Sequence, residues 1–131
     1  MSAQASPHAL LIDDNSTNLE VLASMLAAQG ITYTLVKDPT EAIGRLQALP
    51  RLDVVFCDLE MPKLTGFEVL PLLREKVGGS VPIIAYSVHL SEIDVTRRMG
   101  FDGFVGKPLD NERFPEIISR ILNGEAVWEL P

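Results

Sequence analysis

Residues 54–62 read Val54-Val55-Phe56-Cys57-Asp58-Leu59-Glu60-Met61-Pro62. A short, continuous apolar run that stops at a carboxylate is the pattern of a strand buried on both faces, with its C-terminal tip reaching solvent. We read the strand as Leu52 to Cys57, ending at Asp58, followed by a loop from Met61 to Gly66. The same pattern recurs on either side. Ala9-Leu10-Leu11-Ile12 ends in Asp13-Asp14, Val81 to Tyr86 ends at Ser87, and Gly103 to Gly106 ends at Lys107-Pro108. Ile31 to Val36, rich in β-branched and aromatic residues, supplies a further strand.

Between these runs the period changes to that of a helix. Leu19, Leu22, Ala23 and Leu26 form one apolar stripe behind a cap at Asn15 or Ser16, and Gly30 stands where the helix ends. Asp38-Pro39 starts the next helix, with Ala42, Ile43, Leu46 and Leu49 on its buried side. Phe67, Leu70, Leu73 and Val77 make the third stripe, with Pro71 near the helix start. Ser91 to Met99 is a weak helix with a poorly defined stripe. Phe114, Ile117, Ile118, Ile121 and Leu122, behind Asp110, form the strongest one. Strands alternating with helices at short spacing predict βαβ units, hence an α/β fold with a parallel five-stranded sheet between two helical layers. Residues 1–7 read as a disordered lead, 8–124 as one (βα)5 domain and 125–131 as a tail. Trp128 in that tail is the only Trp; it docks back on the domain, meets a neighbour, or stays disordered.

The bulk numbers narrow the function. The 131 residues suit one domain, and 47% hydrophobic content is enough for a core. A net charge of −7 opposes binding to nucleic acid or to anionic lipid through a basic surface. Cys57 is the single cysteine, so neither an internal disulfide nor a cysteine zinc site can form. No signal-peptide pattern opens the chain, and no apolar run reaches the roughly 18 residues of a membrane span. A cytoplasmic protein is expected.

In open parallel sheets ligands bind at the carboxyl ends of the strands. Those ends hold Asp13 and Asp14, Asp58, Ser87 and Lys107. Taken singly, Asp-Asp-Asn is a helix cap, Lys-Pro a turn and Ser a turn residue. Taken together they bring three carboxylates, a hydroxyl and an ammonium to one rim. Crowded carboxylates repel, and a hard cation such as Mg²⁺ relieves that repulsion while bridging to phosphate oxygens. A carboxylate is also a nucleophile toward phosphorus, and phosphoryl transfer needs positive charge around its equatorial oxygens. The set holds the parts for making and keeping an acyl phosphate.

With these residues in place the chain resembles the receiver domain of two-component response regulators. The resemblance rests on Leu10 to Asn15, Val54 to Pro62, Pro82 to Ser87 and Gly100 to Pro108, and spans His8 to Asn123. It implies a flavodoxin-like three-layer sandwich with strand order 2-1-3-4-5. It also implies that a histidine kinase or phosphotransfer protein phosphorylates Asp58. Asp14, Asp58 and the backbone carbonyl of Glu60 would ligate Mg²⁺ directly, with Asp13 acting through water or by positioning. Lys107 would pair with the phosphoryl group, next to a cis bond to Pro108. Ser87 would bind a phosphoryl oxygen and draw its loop inward, and Phe104 would rotate inward with it. Glu60 and His89 would flank the site and tune dephosphorylation. Output would be by protein contact, to a downstream partner or a second copy, through the fourth helix, fifth strand and fifth helix. The resemblance implies a signalling switch that catalyses only its own phosphorylation and dephosphorylation.

Two departures stand out: Phe104 lacks the hydroxyl common at its position, and Val88 follows Ser87 where a small residue is usual. Three other classes compete. A phosphorylation-independent pseudo-receiver is opposed by the retained Asp13, Asp14, Asp58, Ser87 and Lys107. A haloacid-dehalogenase-type phosphatase would use Asp13 in Asp13-x-Asn15-x-Thr17, but wants a second Asp where Asn15 stands. A nucleotide-binding flavodoxin-like protein lacks a Gly-rich loop after the first strand.

Overall fold

A computed structural model describes residues 6–129 of the chain. The lead and the tail of the sequence reading therefore lie partly outside the described residues. The elements alternate as expected: β1 (His8–Ile12), α1 (Ser16–Ala28), β2 (Thr32–Val36), α2 (Ala42–Gln47), β3 (Val54–Asp58), α3 (Gly66–Val77), β4 (Ile83–Ser87), α4 (Ile93–Met99), β5 (Gly103–Gly106) and α5 (Phe114–Leu122). A final strand, β6 (Val127–Glu129), follows. The sheet order is β2-β1-β3-β4-β5-β6, every pair parallel.

Period-two alternation along the strands sorts the core into two layers. Ala9, Leu11, Val54, Phe56, Ile84, Tyr86 and Val105 face α1 and α5, meeting Leu19, Leu22 and Leu26 on the first and Phe114, Ile117, Ile118 and Ile121 on the second. Leu10, Ile12, Val55, Cys57 and Ala85 face the other way, against Leu46 of α2 and Val69, Leu70 and Leu73 of α3. Both faces of β3 are therefore buried, which explains its unbroken apolar run.

The helix ends follow local chemistry. Asn15 caps α1, its Oδ1 accepting from Asn18 N at 3.0 Å. Thr65 and Glu68 cap α3 reciprocally, Thr65 Oγ1 accepting from Glu68 N and Glu68 Oε1 from Thr65 N. Asp38 caps a single 3-10 turn (Pro39–Glu41) that leads into α2, and a similar turn (Leu90–Glu92) precedes α4. Asp110 caps the turn before α5, accepting from Glu112 N at 2.9 Å, rather than the helix itself.

The sixth strand is the one architectural difference from the sequence reading. Val127 is fully buried and pairs in register with Gly103, while Trp128 pairs with Phe104. Trp128 thus docks on the domain, packed against the α3 side of the core with Arg97 of α4 over its ring at 4.6 Å. Glu129 is held by Arg113 at 2.8 Å. Glycine at position 103 makes the pairing possible: a Cβ there would lie 2.6 Å from the Val127 carbonyl oxygen.

Candidate functional site

The sheet ladder extends one residue past β1 and β5, and this fixes two of the site residues. Asp13 N donates to Val36 O at 3.0 Å, and Lys107 N donates to Ser87 O at 2.8 Å. Asp58 closes β3 and Ser87 closes β4. The four positions stand side by side at one edge of the sheet, as the strand-end pattern predicts.

Asp13 (1% exposed), Asp58 (7%) and Lys107 (8%) form a buried triad. Lys107 Nζ lies 3.0 Å from Asp13 Oδ2 and 3.4 Å from Asp58 Oδ1. Asp13 Oδ1 accepts from Asn15 N at 2.9 Å, so both Asp13 oxygens are engaged. Asp14 is exposed at the mouth. Carboxylate oxygens of Asp13, Asp14 and Asp58 all lie within 4.8 Å of one another. Three acids facing one ammonium leave an excess of negative charge. Burial, reinforced by the Asp13 charge, pushes the Asp58 carboxyl up to about 6, against the pull of Lys107 and the Glu60 N–H. Such a donor set, all oxygen and short of positive charge, fits a hard divalent cation.

Ser87 is buried, its Oγ accepting from His89 N at 2.9 Å. The Lys107-Pro108 peptide is cis. Phe104 is fully buried on the α3 side of the sheet. Val88 is 58% exposed, its side chain turned to solvent. Glu60 and His89 pair across the mouth, Oε2 to Nε2, joining the β3–α3 and β4–α4 loops. Each was singled out in the sequence, but their partnership was not.

Sequence reasoning missed Tyr86. It looked like one more apolar strand residue, yet Lys107 Nζ sits over its ring, 4.3 Å from the centroid. Gly66 was read only as a loop end. Its N–H donates to Leu59 O at 2.9 Å, and a Cβ there would come within 2.9 Å of Leu59 Cα and closer still to the Asp58 carbonyl oxygen. Its smallness lets α3 start directly beneath the Asp58 loop.

Fold and site together define a flavodoxin-like α/β protein with an acidic, lysine-countered pocket at the carboxyl edge of its sheet. The chain belongs to the response regulator receiver domain family, whose model matches residues 9–119. It is thus a receiver domain of two-component systems. It is 29% identical to probable histidine kinase 5 of Oryza sativa subsp. japonica over 89% of its own length, but spans only 12% of that kinase. It is 27% identical to the two-component response regulator ORR11 of Oryza sativa subsp. indica, covering 90% of this chain and 82% of that protein. The chemotaxis protein CheY4 of Vibrio cholerae has the same fold, with a TM-score of 0.80 at 24% identity, over 89% of this chain and 99% of CheY4. No helix among the described residues is long and apolar enough to cross a membrane.

Proposed function

We propose that Asp58 accepts a phosphoryl group from the phosphohistidine of a histidine kinase or phosphotransfer protein. The observation that carries this reading is the buried Asp13–Lys107–Asp58 triad with Asp14 at its mouth. In the transfer an Asp58 oxygen forms a bond to phosphorus as the phosphorus–nitrogen bond of the donor breaks. The departing imidazole keeps the electron pair and takes up a proton. Lys107 offers its charge to the phosphoryl oxygens, and the Ser87 hydroxyl, at the next strand end, offers a hydrogen bond to one of them. Asp13 holds Lys107 in place, and the burial of the triad keeps bulk water from screening it.

Asp14, Asp58 and the backbone carbonyl of Glu60 would hold Mg²⁺, with Asp13 behind them. The cation supplies positive charge to the phosphoryl oxygens and relieves the crowding of the acids. The domain catalyses only its own phosphorylation and hydrolysis and works as a cytoplasmic switch. Its output passes by protein contact through α4, β5 and α5, to a downstream partner or a second copy. The phosphatase alternative needs Asp13 as nucleophile. Its near-complete burial and its two engaged oxygens oppose that role.

Incubation with acetyl phosphate and Mg²⁺ is expected to label the protein and Asp58→Ala to abolish labelling, while Asp13→Asn keeps a residual signal. Labelling that survives Asp58→Ala sinks the assignment. Failure of the wild type to label or to bind beryllofluoride with Mg²⁺ favours the pseudo-receiver.

A further inference from the structure

Lys107 has a third neighbour that neither the family resemblance nor the proposed chemistry assigns. Tyr86 lies in register with Asp58 on one side and Val105 on the other, one residue before the end of the strand between those that carry the acid and the lysine. The residue is 3% exposed and belongs to the layer packed by α1 and α5. The ammonium of Lys107 stands 4.3 Å above the ring centroid, opposite a pair of carboxylates at 3.0 and 3.4 Å. We infer that Tyr86 is a positioning residue for Lys107, an aromatic floor that holds the ammonium at the height of the Asp58 carboxylate.

The physics favours a ring at this place over a hydrogen-bond acceptor. A lysine stem has four rotatable carbons and little intrinsic preference for one position of its tip. An acceptor beneath it would fix the tip but would occupy one of its three N–H donors. The face of an aromatic ring attracts the cation through its quadrupole, most strongly where water is excluded, and leaves those donors to oxygens. The attraction is also weakly directional across the ring. The ammonium can therefore shift toward a phosphoryl oxygen on Asp58 while staying over the ring, whatever its hydrogen bond to Asp13 does. The phenol stays neutral, since burial and the nearby charges of Asp13 and Asp58 raise its pKa.

This inference rests on phosphorylation of Asp58, so its test separates the two. Tyr86→Phe keeps the ring and is expected to retain the rate of labelling by acetyl phosphate to within about twofold. Replacing that Phe by its 4-fluoro, 3,5-difluoro and pentafluoro analogues keeps the shape and drains the ring face. The rate should fall stepwise, by about fivefold at the pentafluoro ring. A residue that only fills space would give a flat series. A wild type that labels through Asp58 together with a flat series overturns this inference alone. A wild type that never labels overturns the proposed function, and a second readout then still decides the positioning. The Lys107 Hε protons should resonate upfield of free lysine in wild type and in Tyr86→Phe, through the ring current. Free-lysine positions in wild type exclude the contact.

Discussion

Lys107 lies closer to Asp13 than to Asp58, at 3.0 Å against 3.4 Å. The residue proposed to be phosphorylated is therefore the more weakly held of the two acids, and Asp13 is the anchor of the lysine. Removing the ammonium leaves two buried carboxylates with no other ion-pair partner among the described residues. Breaking a buried pair costs several kcal/mol, and uptake of a proton by Asp58 offsets part of it. Lys107→Ala is expected to lose about 2–4 kcal/mol in metal-free urea unfolding and to recover more on adding Mg²⁺ than the wild type does. An equal Mg²⁺ response in both proteins would show that the lysine does not offset the acids.

The Asp58 carboxyl supplies a pH dependence whose sign is fixed. Its pKa stands at about 6 in the folded chain against 3.8 for the free side chain. Folding therefore favours the protonated form, and the associated stability is present below pH 4 and is lost as pH rises through 6. Above that, ionised Asp58 costs the fold. Without metal, Asp58→Asn should be more stable than the wild type by about 1–2 kcal/mol near pH 7.5, with the gap closing as pH nears 4. Chemical unfolding across this range reads it directly. A gap that stays constant with pH would assign the gain to packing rather than charge.

Gly66 is expected to matter out of proportion to its size. A methyl group at this position meets the backbone of Leu59 and Asp58, which cannot yield without moving the Asp58 loop. Gly66→Ala should cost about 2–3 kcal/mol and slow labelling at Asp58 as well, since the loop that carries the Glu60 carbonyl shifts with it. Thermal unfolding and acetyl phosphate labelling check the two effects separately. Gly44, inside α2 where a Cβ would meet open space, is the contrasting position: Gly44→Ala should leave labelling unchanged and raise stability by about 0.5–1 kcal/mol.

Asp13, Asp14, Asp58, Ser87 and Lys107 were readable because strand ends in a parallel sheet converge whatever the details of packing. The two core layers were readable for a similar reason: stripes such as Leu19-Leu22-Leu26 on one side and Leu70-Leu73 on the other carry their own period. What escaped the reading depends on distances that period cannot encode. Val127 to Glu129 is too short for alternation to show, and its pairing is decided far away, by the missing side chain of Gly103. Tyr86 reads as a core aromatic because its second task, beneath Lys107, involves the face of its ring. The Glu60–His89 pair joins two loops that adjoin only after β3 and β4 have paired.

Strand β6 links the sheet edge to α4, and the only Trp in the chain lies at the junction. Trp128 pairs with Phe104 along the sheet and takes the Arg97 guanidinium over its ring. Any rearrangement of α4 on phosphorylation must alter the surroundings of this indole. Beryllofluoride with Mg²⁺ is therefore expected to change Trp128 emission in the wild type and to leave it unchanged in Asp58→Ala. Gly103→Ala drives a Cβ against the Val127 carbonyl and should loosen β6, shifting the emission to the red before any ligand is added. Arg97→Ala removes only the link from α4, so the starting emission should stay near that of the wild type while the response to beryllofluoride shrinks. A full response in Arg97→Ala would mean that the signal reaches Trp128 along β5, through Phe104, rather than through the helix.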